Sequence, residues 1–122
     1  MQSITVEELK ARREQGTPHC LLDVREPGEV RAASISGALN IPMDEVAQRL
    51  RELPKDREIV VMCARGGRSA RITAFLKANG FPKAVNLEGG IGAWSRRIEP
   101  GAAASGLSLS SLWKTLLPSR KR

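Results

Sequence analysis

The chain has 122 residues, of which 41% are hydrophobic and 3% aromatic, so it is long enough for one domain with a single, mainly aliphatic core. No run of about 18 apolar residues occurs, which excludes a membrane-spanning helix, and the first residues lack the pattern of a secretory signal. The net charge of +7 favours anionic partners, but no aromatic side chains interleave with the basic residues, which argues against nucleic acid. We therefore expect a cytoplasmic protein with a small anionic ligand.

The first predicted element is a short helix near the N-terminus. Thr5 and Glu8 have the spacing of a capping box, which predicts a helix that runs to about Arg13. Gly16 and the proline that follows it at position 18 are expected to end this helix.

Further along the chain, short apolar runs typical of buried strands alternate with helical patterns. The run at 58–63 is apolar on both faces, so it predicts a central, parallel strand. The alternation predicts an α/β domain with a mostly parallel sheet. The predicted elements are strands at 20–24, 38–42, 58–63 and 84–87, helices at 44–53 (capped by Asp44) and 69–79, and a short helix after Gly90 that carries Ile91 and Trp94.

The sequence changes character after residue 97, which divides it into a domain at 1–98, a small-residue linker at 99–106 and a basic tail at 107–122. The tail pattern suits an amphipathic helix that contacts a partner or an anionic membrane surface. It also suits a helix that packs on its own domain or across a dimer, and the short apolar face favours this second interpretation. The apolar residues on one face are Leu109, Leu112, Trp113 and Leu116, accompanied by Lys114 and the basic residues 120–122.

His19, Cys20 and Cys63 are the only histidine and cysteines. Without a CxxC pair or further histidines, the usual ligands of a structural zinc site are missing, and two cysteines are too few for a disulfide scaffold. We expect His19 to be exposed at a strand end. Cys20 lies inside a predicted strand, which favours a buried apolar residue over a partner for Cys63.

Cys63 lies where the strongest predicted strand ends and a glycine-containing loop leads into a helix. In open parallel sheets, ligands bind outside this end of the strands. Gly66 and Gly67 allow backbone N–H groups to turn toward an anion, the helix adds its positive end, and Arg65 and Arg68 add full charges. These features favour a thiolate with a lowered pKa. The alternative, an inert core cysteine, does not account for two glycines and two arginines within the next five residues.

Four segments in this order resemble those of single-domain rhodaneses, the thiosulfate sulfurtransferase-like family. Residues 21–29 are similar to its DVRE segment, 37–42 to GAxNIP, 63–69 to the active-site loop and 86–94 to LxGGxxxW. The resemblance covers residues 3–94. It implies a rhodanese-like three-layer fold, in which helices flank both faces of a mostly parallel central sheet.

The resemblance also implies a two-step sulfur transfer. The Cys63 thiolate takes a sulfane sulfur from thiosulfate or a similar small anionic donor and holds it as a persulfide. Cyanide, a protein thiol or a small-molecule thiol then removes that sulfur, with no metal or other cofactor. Such covalent storage divides a difficult transfer into two easier steps.

By the same resemblance, the loop that follows Cys63 binds the donor and the persulfide through its N–H groups. Arg65 and Arg68 are candidates for donor binding, against the alternative of solvated loop charges. We expect Asp23 and Arg25 to brace the loop by ion pairs, and Trp94 to be a core anchor. The substrate-binding candidates are Ala64, Arg65, Gly66, Gly67, Arg68 and Ser69.

The chain departs from the family at the expected rim of the pocket. Relatives commonly read Gly-His-Ile-Pro-Gly-Ala, whereas this chain has Ala33-Ser34, followed by Ser36 in place of the proline. We expect the change to alter local packing and not the nucleophile.

Two other functions remain open. Phosphatases of the cell-cycle type share rhodanese-like folds, but their loop has one more residue between the cysteine and the arginine. The four residues between Cys63 and Arg68 therefore favour sulfur over phosphate. The other function is that of a non-catalytic binding module, but such modules usually lack the cysteine.

Overall fold

The computed structural model describes residues 2–100. The predicted tail at 107–122, and the linker from residue 101 onward, lie outside the described residues. In the described part, a five-stranded parallel sheet has the order β1-β5-β4-β2-β3. The strands are β1 (Ser3–Ile4), β2 (His19–Asp23), β3 (Leu39–Asn40), β4 (Glu58–Met62) and β5 (Ala84–Leu87), and the α-helices are α1 (Val6–Gln15), α2 (Pro27–Ala32), α3 (Gly67–Ala78) and α4 (Gly90–Arg97).

Strand β4 lies at the centre of the sheet. It pairs with β2 along its whole length and with β5 on its other side. Val60 and Val61 have no exposed surface, although consecutive residues of a strand face opposite sides. Both faces of β4 are therefore covered, and the predicted central parallel strand is confirmed.

Two apolar clusters lie on opposite faces of the sheet. Leu21 and Val60 pack with residues of α1 and α4, whereas their neighbours Leu22 and Val61 pack with residues of α3. Helix α1 also contacts α4 directly. The three-layer arrangement implied by the resemblance is confirmed.

Helix α1 begins as predicted. The Thr5 hydroxyl accepts a hydrogen bond from the Glu8 N–H at 3.1 Å, and the Glu8 carboxylate accepts one from the Thr5 N–H at 2.8 Å. The helix ends at Gly16, whose φ of 68° is in the left-handed region.

The helix predicted at 44–53 is wrong. Two short 3-10 helices, Met43–Gln48 and Leu50–Glu52, replace it, and Asp44 does not cap the first of them. This segment must return from the carboxyl end of the sheet to the start of β4 while it buries Val46 and Leu53. A 3-10 helix rises about 2.0 Å per residue against about 1.5 Å for an α-helix, so it covers this distance with fewer residues.

Strand β1 and helix α2 were not predicted from the sequence. Strand β1 has two residues and is too short for a periodic pattern. Helix α2 has a readable signal, because Pro27 occupies its first turn and the Glu29 carboxylate accepts a hydrogen bond from the Glu26 N–H at 2.9 Å. None of the helices within residues 2–100 has the length and apolar character needed to span a membrane.

Candidate active site

Cys63 follows β4 directly and begins the loop that leads into α3. Its side chain belongs to the apolar cluster under α3, and only 1% of the residue is exposed. The loop can curl around the sulfur because Gly66 has a φ of 112°, which is unfavourable for residues with a side chain. The backbone N–H of Gly66 then donates a hydrogen bond to Cys63 Sγ at 3.0 Å.

Ser69, in the first turn of α3, supplies two further contacts to the sulfur. Its N–H donates to Cys63 Sγ at 3.4 Å, and its hydroxyl oxygen lies 3.2 Å from the same atom. Burial by itself would raise the pKa of Cys63, but hydrogen bonds from the Ser69 hydroxyl and from the N–H groups of Ser69, Gly66 and Arg65 outweigh it and lower that pKa. The site therefore favours a thiolate despite its burial, unlike that of an inert core cysteine.

Asn86 on β5 completes this buried network. The Ser69 hydroxyl donates to Asn86 Oδ1 at 2.5 Å, and Asn86 Nδ2 lies 3.4 Å from the Gly66 carbonyl oxygen. Because a hydroxyl has one proton, Asn86 and the Cys63 thiolate compete for it. Asn86 was not predicted to be a site residue. The available signal was an amide inside a short strand whose other residues are apolar.

The start of helix α4 packs against the backbone of the loop. The N–H groups of Ile91 and Gly92 donate to the carbonyl oxygens of Cys63 and Ala64 at 2.9 and 3.0 Å. Gly90 has a φ of 56°, and a Cβ atom there would lie 2.2 Å from the Cys63 carbonyl oxygen. The close contact between α4 and the loop therefore requires glycine at position 90.

Arg68 forms an ion pair with a residue of a neighbouring helix. Its guanidinium donates two hydrogen bonds to the carboxylate of Glu29 on α2, at 2.8 and 2.9 Å. This contact lowers the pKa of Glu29 to about 2. The donor-binding candidate Arg68 therefore has a carboxylate partner, whereas Arg65 is exposed.

Asp23 and Arg25 form a buried ion pair with each other, at 2.6 Å. The Arg25 guanidinium also donates to the carbonyl oxygens of Ala33 at 2.8 Å and Glu29 at 3.3 Å. The pair therefore braces α2 and the chain that follows it. It reaches the Cys63 loop indirectly, through the contact between Glu29 and Arg68.

The remaining sequence candidates lie away from the sulfur. Trp94 is buried in the cluster under α1 and α4, as predicted for a core anchor. Cys20 is only partly buried, and its burial raises its pKa. His19 is half-buried at the start of β2, where it pairs with Glu58 of β4, and is not exposed as predicted. Its ring contacts the Thr17 carbonyl oxygen at 2.7 Å.

The unusual rim residues take part in ordinary packing. Ala33 is buried in a core cluster, and its carbonyl oxygen accepts the hydrogen bond from Arg25. The Ser36 carbonyl oxygen accepts one from Arg13 at 3.0 Å. Within residues 2–100, no three His, Cys, Asp or Glu side chains converge on a common point that could hold a metal ion.

A cavity of about 440 Å³ lies beside the loop, between it and α4. The charged residues that line it are Arg65 and Arg96, and both are exposed. The cavity therefore presents positive charge on the α4 side of the loop, and Cys63, Gly66 and Ser69 are not among its lining residues. Its remaining lining residues are Ala64, Gly89, Ile91 and Gly92.

Residues 5–97 match the family model described as Rhodanese-like domain. A protein named Sulfurtransferase from Allochromatium vinosum is 37% identical over 106 residues, which cover 87% of this chain and 99% of that protein. Among solved structures, a rhodanese-related protein from Thermoplasma volcanium is 35% identical with a TM-score of 0.75, and the match covers 82% of this chain and 96% of that one. A rhodanese-like domain protein from Staphylococcus aureus is 40% identical with a TM-score of 0.73, covering 77% and 91% respectively. This chain therefore belongs to the rhodanese-like domain family.

Proposed function

We propose that this chain is a sulfurtransferase that carries a sulfane sulfur as a persulfide on Cys63. The observation that carries the proposal is the set of hydrogen-bond donors around one buried sulfur atom, from Gly66 and Ser69. These donors favour the thiolate, which is the nucleophilic form of cysteine. A relative that matches along nearly its whole length and is named Sulfurtransferase supports the same activity.

In the first step, the Cys63 thiolate attacks the outer sulfur of a donor such as thiosulfate. A new S–S bond forms to Sγ, the S–S bond of the donor breaks, and sulfite leaves with the electron pair. The product is a persulfide anion at Cys63. The N–H groups that held the thiolate are already oriented toward this negative charge, so little reorganisation is needed.

In the second step, an acceptor nucleophile attacks the outer sulfur of the persulfide. The bond between that sulfur and Cys63 Sγ breaks, and the electron pair returns to Sγ as a thiolate. Cyanide gives thiocyanate, and a thiolate gives a new persulfide. Ser69 and Gly66 again stabilise the departing thiolate by hydrogen bonds.

A small anion is the donor class that fits the charge of the molecule. The chain carries +7 in net charge, and Arg65 lies exposed in the loop directly after the nucleophile. Arg68 already pairs with Glu29, so we assign it to loop positioning and give donor binding mainly to Arg65.

Thiocyanate formation from thiosulfate and cyanide tests the proposal. The wild type and Cys20→Ser should form thiocyanate, whereas Cys63→Ser should form none above the uncatalysed rate. Equal activity of Cys63→Ser and the wild type would contradict the assignment of the nucleophile. Hydrolysis of an aryl phosphate without any sulfur transfer would favour the phosphatase alternative.

A further inference from the structure

The ion pair between Glu29 and Arg68 brings a negative charge to the edge of the Cys63 loop. Arg68 directly precedes Ser69, whose N–H donates to Cys63 Sγ at 3.4 Å. The pKa of Arg68 is raised chiefly by its hydrogen bonds with Glu29, and the negative charge of Cys63 adds to this effect. The guanidinium of Arg68 therefore lies within electrostatic range of both the Glu29 carboxylate and the sulfur.

Glu29 is held in place through both its side chain and its backbone. Its carboxylate accepts the Glu26 N–H at 2.9 Å, as well as the two hydrogen bonds from Arg68 at 2.8 and 2.9 Å. Its carbonyl oxygen accepts a hydrogen bond from the buried Arg25 at 3.3 Å. Because these contacts fix the carboxylate, a donor can reach the guanidinium of Arg68 only in competition with a charge that is already in place.

The loop after Cys63 therefore offers one unpaired cation instead of two. Arg65 is exposed and forms no ion pair with any residue between positions 2 and 100. Arg68, by contrast, is neutralised by Glu29. The charge of Arg65 alone matches a donor with a single negative charge.

We propose that Glu29 sets the charge selectivity of the donor site, so that donors with one negative charge are favoured over doubly charged donors such as thiosulfate. This inference rests on the proposed function. Glu29 occupies the N–H groups of Arg68 that would otherwise bind the second charge of the donor. Glu29 acts through Arg68, so it is a positioning residue.

Steady-state kinetics of the full chain with two donors of different charge test this selectivity. Thiosulfate carries two negative charges and methanethiosulfonate carries one, and cyanide is the acceptor for both. With either donor, the Cys63 thiolate attacks the outer sulfur, the S–S bond of the donor breaks, and sulfite or methanesulfinate leaves with the electron pair. The measured quantity is the ratio of kcat/KM for thiosulfate to kcat/KM for methanethiosulfonate.

Glu29→Gln should raise this ratio about fivefold or more, because Arg68 becomes available to the second charge of thiosulfate. Glutamine keeps an oxygen that can accept the Glu26 N–H, so the start of α2 is retained. In the Arg68→Gln background, Glu29→Gln should change the ratio less than about twofold, because the residue through which Glu29 acts is absent.

Glu26→Gln is the matched control. Glu26 is exposed at the start of α2, and its charge, like that of Glu29, acts on Arg68. The substitution removes the same charge but leaves the two hydrogen bonds between Glu29 and Arg68 in place. It should change the ratio less than about twofold.

Two results would overturn the role of Glu29 while leaving the proposed function intact. One is a ratio in Glu29→Gln that equals that of the wild type. The other is a rise of similar size in Glu26→Gln, or from Glu29→Gln in the Arg68→Gln background, which would indicate charge at a distance. Failure of the wild type to form thiocyanate from either donor would overturn the proposed function as well.

Discussion

The chemistry of Cys63 depends on opposing effects at a single sulfur atom. Burial disfavours the thiolate, whereas the donors from Gly66 and Ser69 favour it, and the donors prevail. The Ser69 hydroxyl is the adjustable member of this set, because its proton can go either to sulfur or to Asn86 Oδ1, 2.5 Å away. Asn86 therefore influences the thiolate without touching it.

Substitutions at Asn86 should shift the pKa of Cys63 in opposite directions. Asn86→Leu removes the competing acceptor, so the Ser69 hydroxyl donates fully to sulfur and the pKa of Cys63 falls. Asn86→Asp holds the hydroxyl proton more strongly and adds a negative charge, so that pKa rises. The pH dependence of alkylation by iodoacetamide measures both shifts in the pKa of Cys63. Near the midpoint of the thiol titration, we expect the alkylation rate to change about three- to tenfold.

The Ser69→Ala background provides the control. Without the hydroxyl, the pKa of Cys63 should rise above that of the wild type, and Asn86→Leu should have no further effect on it. An equal effect of Asn86→Leu with and without the Ser69 hydroxyl would show that the two residues are not coupled.

At this scale the sequence predicted that the loop after Cys63 supplies hydrogen-bond donors to its sulfur, because Cys63 and the loop residues are contiguous. It did not predict Asn86 or Glu29, which reach the loop from β5 and α2. Contacts between residues distant in sequence depend on which strands are neighbours in the sheet. That order is not contained in any local pattern of residues.

The position of the loop depends on the start of α4. The Cys63 carbonyl oxygen accepts the Ile91 N–H, and Gly90 leaves no room for a side chain between the two segments. Gly16, at the end of α1, has a similar φ of 68° but no atom within 4 Å of the Cβ position. A comparison of the two positions therefore separates the effect of backbone strain, present at both, from the effect of close contact, present only at Gly90.

We expect Gly90→Ala to destabilise the fold by more than about 2 kcal/mol, because the added side chain forces the loop to move. Since this movement takes the N–H donors away from the sulfur, alkylation of Cys63 by iodoacetamide should become much slower than in the wild type. Gly16→Ala should cost about 1 kcal/mol and leave alkylation unchanged. Urea unfolding and alkylation kinetics measure the two effects. Normal alkylation in folded Gly90→Ala would contradict the role given to this contact.

Helix α2 is linked to the loop by the pair between Glu29 and Arg68. The pKa of Glu29 is lowered from 4.5 to about 2, so its stabilising contribution is complete above pH about 4.5 and is lost as the pH falls toward 2. The side chain is 37% exposed, so solvent screening limits this contribution to about 1 kcal/mol or less. The link is modest in energy but joins two elements.

Glu29→Gln should therefore make the free energy of unfolding less dependent on pH between about 4.5 and 2. Chemical denaturation at a series of pH values measures this slope. Glu45→Gln, in the first 3-10 helix, is a suitable comparison, because it breaks an exposed pair with Arg49 that is remote from α2. A slope in Glu29→Gln identical to that of the wild type would contradict the assignment.

Among the elements, the predictions held where a local signal marked the segment, namely the capping box of α1 and the apolar runs of β4 and β5. They failed at 44–53, where apolar spacing suited an α-helix but the distance to be covered required 3-10 turns. The sequence pattern records which residues are buried. It does not record the distance that the segment must span between the end of β3 and the start of β4.

At the scale of the whole molecule, the parallel sheet brings the residues of the site together. Asp23 and Met62 lie opposite each other in register at the ends of β2 and β4, and Cys63 follows Met62. Asn86 pairs with Val61 from the other side. Because parallel strands end at the same edge, residues from distant parts of the chain meet beside Cys63. The alternation of strands and helices predicted this arrangement in outline.

Intact mass spectrometry after incubation with thiosulfate or polysulfide tests the central claim most directly. The wild type and Cys20→Ser should each gain one sulfur, about 32 Da, and lose it on addition of cyanide, whereas Cys63→Ser should gain none. An adduct that persists in Cys63→Ser, or a wild type that gains no sulfur from either donor, would contradict the assignment of Cys63 as the sulfur carrier.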